Sequence, residues 1–367
     1  MTLGPPLSLA DRPRHSDGEL RVADWLRGVV AGEPARLGAL DDASAHALRG
    51  ARLEALARVH GAEHENLRDV ERRQFAGATL MAAATARVVA MLSVEHVSCA
   101  VLKGLPLAQQ YWGDAFVRPS VDVDLLVAPR DYERARAALV AHGFETHAEW
   151  VPAWYLKRWF YHETLFGTGS LGVAVEVHWD YVRPGLGDTD VDGLLAATED
   201  VSVAGRRLPA PAPPWQLLVV AAHAVHEFFA ARHLLDVALV ARALDEAAWR
   251  TAVELAVAAR LGPTLWYGVH ASSEWLGWRP PDVLERLRPS AARDRVVRGY
   301  LLRLPLFDRP SRLDQQLQHV VAPALSSAGA RAVTRIPFAL LTDRGNLAMR
   351  IERGRRRLAG DGRAARP

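Results

Sequence analysis

Val121-Asp122-Val123-Asp124-Leu125-Leu126-Val127 decides how this chain is read. Two aspartates, two positions apart, sit inside a run of Val and Leu. The apolar flanks predict a buried strand. Side chains along a strand alternate between faces, so Asp122 and Asp124 point the same way. Two ionised carboxylates on one face repel, and burial is costly for each. A positive partner is therefore expected between them, either a metal ion or an arginine. A strand-borne Asp-x-Asp is well suited to divalent magnesium.

The neighbouring stretches extend this reading in both directions. Residues 97–102 read as a short buried strand. Lys103 and Gly104 turn the chain into a helix over residues 105–111, with Pro106 in its first turn. Arg118, Pro119 and Ser120 lead into the opening strand. Residues 129–142 form an amphipathic helix closed by Gly143. The stretch that follows is aromatic, with Trp150, Trp154, Tyr155, Trp159, Phe160 and Tyr161. Residues 158–166 and 172–179 then read as two strands around a Gly-rich turn. In the second, Val173, Val175 and Val177 share one face, and Ala174, Glu176 and His178 the other. Glu176 is thus a third carboxylate on a core strand. Asp122, Asp124 and Glu176 converging on one sheet face would make a two-metal site for nucleotidyl transfer. The same residues can also be read as an ion-paired cluster with Lys103 and Arg118.

The order of these motifs resembles the uncharacterised nucleotidyltransferases of bacteria, within the DNA polymerase beta-like superfamily. The resemblance rests on Val101-Leu102-Lys103-Gly104, on Arg118-Pro119-Ser120-Val121-Asp122-Val123-Asp124, and on Glu176-Val177-His178-Trp179. It continues to His223 and to Leu234-Leu235-Asp236-Val237-Ala238, covering roughly residues 95–245. It implies an α+β fold, in which a small mixed sheet with flanking helices is followed by a helical domain. It also implies two magnesium ions, an NTP substrate and transfer of a nucleoside monophosphate to an acceptor hydroxyl. Asp122 and Asp124 would ligate both ions, and Glu176 would ligate the catalytic one. Gly104 would admit phosphates to backbone N–H groups. Lys103 and Arg118 would bind phosphate oxygens, with His178 beside the substrate. The chain departs from the superfamily pattern at the turn, where Leu105 offers no hydroxyl. The acceptor is open among a small molecule, a peptide and a protein. Toxin-like relatives that modify tRNA share the turn and the aspartate motif. An inactive binding or scaffold module on the same fold is the alternative outside enzymes.

The remaining sequence sets the frame. The chain has 367 residues, 50% hydrophobic and 24% charged, enough for a full core and several domains. Five parts are expected: a disordered 1–20, a helical 21–95, a nucleotidyltransferase core at 96–208, a helical domain at 215–345 and a basic tail at 346–367. The proline cluster at 209–214 reads as the linker. The single cysteine, Cys99, excludes a disulfide framework and fits a reducing cytoplasm. No stretch reads as a signal peptide or a membrane span. Arg350, Arg353, Arg355, Arg356 and Arg357 make the tail a candidate surface for RNA, although such blocks are commonly solvated ends. Two motifs are set aside. Asp188, Asp190, Asp192, Gly193 and Glu199 fit an EF-hand loop by letter, but Pro184 and Gly185 forbid an entering helix. His223 and His226 share a helical face, yet no cysteine can join them in a zinc site. His223 and Asp236 are expected to face the sheet.

Overall fold

The computed structural model describes residues 16–67, 69–146, 160–168, 172–184, 186–301, 304–308 and 311. The expectations for residues 1–15, for Trp150 to Trp159, for residues 312–345 and for the basic tail lie outside the described residues.

The chain opens with helix α1 (Asp17–Ala31), which a Ser16–Glu19 capping box starts and Gly32 stops in the left-handed conformation. Strand β1 (Gly38–Ala39), helices α2 (Asp42–Gly50) and α3 (Glu54–Val59), strand β2 (Ala62–Glu63) and the long helix α4 (Val70–Val94) follow. The central part runs β3 (Cys99–Val101), α5 (Leu105–Tyr111), β4 (Asp122–Val127), α6 (Tyr132–Ala141), β5 (Phe144–Thr146), β6 (His162–Gly167) and β7 (Ala174–His178). Then come α7 (Val191–Ala196), the hairpin β8 (Thr198–Val203) and β9 (Arg206–Pro211), and helices α8 (Pro213–His226), α9 (Ala231–Ala243), α10 (Glu246–Ala258), α11 (Gly262–Leu276) and α12 (Ala291–Leu301).

The fold is α+β, with the mixed sheet and flanking helices expected of a nucleotidyltransferase core. Its central sheet has the order β3-β4-β7-β6-β5. Strands β4 and β7 are parallel, and every other pair in that sheet is antiparallel. Alternation along β4 sorts its residues between two cores. Val123, Leu125 and Val127 join Val175, Val177 and Leu165 against α4 and α6. On the opposite face, Ala100, Leu102 and Leu126 pack into a larger core.

That larger core is built from both ends of the chain. Trp25 and Leu26 of α1 and Leu48 of α2 share it with Trp266 and Trp275 of α11. Arg27 Nε also donates to the Trp275 carbonyl at 3.2 Å. Helices α1 to α3 therefore pack into the same core as the C-terminal helical body, while α4 packs against the sheet. The carboxylate face of the sheet looks toward this body. Gln216 of α8 fastens the two, its amide donating to the Leu102 carbonyl at 2.9 Å.

Two local expectations change. The prolines read as a linker are structural. Pro209 and Pro211 lie in β9, paired with Asp200 and Thr198, and Pro213 and Pro214 open α8, where a missing N–H costs nothing. One helical stretch, Glu65–Val94, is also long and apolar enough by length and composition to cross a membrane, with mean hydropathy 1.6. Much of its hydropathy comes from alanine rather than from an unbroken run of large apolar side chains. Val88 and Leu92 of this helix are buried in the core behind the sheet. Cys99 is largely enclosed, and burial pushes its thiol up to about 12.

Candidate active site

The register of β4 and β7 assembles the site. Asp124 pairs with Glu176 across the parallel strands, and Asp122 pairs with Ala174. On the next strand His162 lies opposite His178. Because the side-chain period is two, Asp122, Asp124, Glu176, His178 and His162 all emerge on the face turned to the helical body.

Asp124 is 5% exposed and lies at the centre of the cluster. Lys103 Nζ reaches its Oδ1 at 3.0 Å, and His178 Nε2 lies 3.2 Å from the same oxygen. His178 Nε2 also lies 3.3 Å from Glu176 Oε2, and His162 Nε2 lies 3.9 Å from that oxygen. Burial pushes the Asp124 carboxyl up, but Lys103 and His178 outweigh it and hold the group well below the usual carboxylate range. Burial also disfavours the Lys103 ammonium, and the Asp124 charge more than restores it. His178 gains basicity from its two carboxylates despite its burial. His162 is driven down to about 4, first by burial and then by the His178 charge.

Asp122 differs from its neighbour. Among the described residues its carboxylate has neither a hydrogen bond nor an ion pair. Burial, followed by the Asp124 and Glu176 charges, pushes it up to about 6. The strand therefore holds one compensated and one uncompensated carboxylate. Excess negative charge beside Glu176 is the environment a divalent cation relieves. The donor set fits such an ion. His162, Glu176 and His178 each offer a ligand atom, all within 4.8 Å of one another, and Asp122 and Asp124 add oxygen donors on the same face.

The turn before α5 is tight. Gly104 has φ 70° and ψ −131°, a conformation that side chains resist. A Cβ there would meet Ser120 Oγ at 2.9 Å. Ser120 donates in turn to the Asp122 carbonyl at 2.9 Å. The hydroxyl missing at Leu105 is thus present beside the turn, from the segment that enters β4. Sixteen positions separate Ser120 from Gly104 in the sequence, and only folding brings the two together.

The sequence gives Arg118 the role of a phosphate binder. Instead its guanidinium is 4% exposed and forks onto Asp236, Nε and Nη2 each donating at 2.8 Å. Trp112 Nε1 donates to the same carboxylate at 3.0 Å. Buried fixed groups of opposite sign find each other before solvent-borne ligands do. His223 does face the sheet, since Lys103 Nζ lies 3.3 Å from its Nδ1. Burial and then the Lys103 charge hold His223 well below its ordinary value. His226 is 6% exposed and burial takes it down to about 3.

The EF-hand pattern is occupied by protein. Asp190 caps α7 through the Gly193 N–H at 2.7 Å. Asp192 pairs with Arg130 at 2.7 Å and Asp188 with Arg260 at 3.1 Å.

No curated protein matches the chain. A family model does, over residues 39–277, which covers the central sheet and the helices from α2 to α11. The site just described lies wholly within that match, and the chain belongs to the family of uncharacterised nucleotidyltransferases.

Proposed function

We propose that the protein is a magnesium-dependent nucleotidyltransferase that moves a nucleoside monophosphate from an NTP to an acceptor hydroxyl. One observation carries this reading. Asp124 and Glu176 are in register on parallel strands, with the uncompensated Asp122 on the same face. Asp122, Asp124 and Glu176 are the residues that would hold divalent ions, whose charge would neutralise the triphosphate and the departing pyrophosphate. His178, bonded to Asp124 and lying against Glu176, fixes both carboxylates. Lys103 presents an ammonium beside Asp124 for phosphate oxygens. Gly104 keeps the turn open on the side where Ser120 stands. Glu176 takes the proton of the attacking hydroxyl.

The acceptor is a hydroxyl on a small molecule, a peptide or a protein. A tRNA acceptor would engage the basic C-terminus, and deleting residues 346–367 would then lower RNA binding and its salt dependence. A second reading, an inactive binding module, is favoured by one contact. Lys103 and His178 already satisfy Asp124 in place of an ion.

Labelled NTPs with a cell lysate decide between the two. Transfer of label by the wild type and loss of transfer in Asp122→Asn support the enzyme. Silence with all four nucleotides, together with an unchanged thermal response to magnesium in Asp122→Asn, would sink it.

A further inference from the structure

A guanidinium without a carboxylate lies beside the site. Arg232 is the second residue of α9 and is partly buried. Among the described residues no acidic group comes within ion-pair distance of it. Its one contact is with a neutral ring, Nη2 lying 3.4 Å from His233 Nε2. That ring stands edge-on to His223, with centroids 4.5 Å apart, and His223 Nδ1 is the atom that Lys103 Nζ approaches at 3.3 Å. A continuous path therefore runs from Arg232 through two imidazoles to Lys103 and Asp124.

The charges along this path do not balance. Lys103 is matched by Asp124 and Arg118 by Asp236, which leaves Arg232 in excess. Burial and the nearby Arg118 charge lower its proton affinity to about 10, with Arg52 adding to the effect and Asp236 and Glu227 opposing it. A cation in the first turn also opposes the helix dipole. Among the described residues no carboxylate neutralises this partly buried charge, and an unpaired charge withdrawn from water is costly. We infer that Arg232, with Lys103, forms an anion subsite for the phosphate tail of the nucleotide. Arg232 stands two imidazoles away from the Lys103 ammonium, and a metal-chelated polyphosphate has far oxygens that a planar fork grips at two points. The subsite takes over the role that the sequence gives to Arg118.

This inference rests on the nucleotidyltransferase reading, and inorganic tripolyphosphate separates the two. Affinity is measured by calorimetry on the full chain, with and without magnesium, for wild type, Arg232→Gln and Arg232→Lys. The expected result is at least a tenfold loss in Arg232→Gln, partial recovery in Arg232→Lys, and a melting temperature for Arg232→Gln without anion no lower than wild type. Wild-type affinity in Arg232→Gln would overturn the subsite even if label transfer succeeds. Should Arg232→Gln fail to fold, unchanged affinity in Arg232→Lys overturns it, and weakened affinity supports it. Tripolyphosphate binding lost with Arg232, in a protein that transfers no label, would keep the subsite and remove the enzyme.

Discussion

At the residue scale the site is a problem of charge compensation. Asp124 is in contact with two cationic groups, and among the described residues Asp122 is in contact with none, though the Lys103 and His178 charges still reach it. The two aspartates should therefore respond oppositely to amide substitution in the absence of metal. Ionised Asp122 sits at an unfavourable position, pushed up to about 6 by burial and by its neighbours. Asp122→Asn removes that penalty and should raise stability, by at most about 3 kcal/mol at about 1.4 kcal/mol per pKa unit and by less for the solvent that reaches the group. Asp124→Asn leaves Lys103 buried without its counter-ion and should lower stability. Paired thermal melts check the signs. Both variants should abolish the magnesium-dependent shift. The Arg118–Asp236 pair gives a second test. Breaking one partner of a buried, bidentate pair costs roughly 3–5 kcal/mol, so Asp236→Asn should lose about that much in urea unfolding. Its carboxyl is held well below the usual range by Arg118 in spite of burial. Replacing both partners with apolar residues should recover much of the loss.

At the element scale, the turn from β3 to α5 is the position where backbone and site are coupled. Gly104 adopts a conformation open to glycine and lies against Ser120. Gly104→Ala should cost about 1–3 kcal/mol from backbone strain and should displace the Ser120 hydroxyl. The expected result is lower nucleotide affinity with the magnesium response retained, read by titration of each ligand. An equal loss of both would mean that the turn shapes the metal site itself. The β8–β9 hairpin makes a related point. Its prolines sit where β9 borders the sheet from outside, so punctuation residues in sequence became strand and helix-start residues in the fold.

Across the whole molecule, the helical body holds several imidazoles uncharged. Burial lowers His226 to about 3, and lowers His233 and His270 to about 4. Their folded values lie below the unfolded value near 6.5. The stability they permit is complete above about pH 6.5 and is lost as pH falls toward 4, because the unfolded chain takes up protons that the fold refuses. Each such group adds a slope of about 1.4 kcal/mol per pH unit in that window. Urea unfolding at pH 7 and pH 5 should show the drop. His270, packed on Trp266 with ring centroids 3.9 Å apart and remote from the carboxylates, offers a clean control. His270→Gln should flatten the slope by one proton.

The carboxylate face was legible in sequence because strand periodicity is local. Val, Leu and Asp alternating over residues 121–127 set which side chains share a face before any partner strand is known. The sequence alone also determined the α+β class, the Lys103–Gly104 turn and the place of Glu176 on a second strand. Tertiary structure decided what those residues touch. Whether Arg118 meets a phosphate or Asp236 depends on a contact across 118 positions. The same is true of Ser120 over Gly104, of α1 joining α11, and of Arg232 linked through His233 and His223 to Lys103. Alternation and capping are properties of neighbouring residues. Charge pairing in a core depends on which distant segments share a small volume of low dielectric, and only the folded chain specifies that.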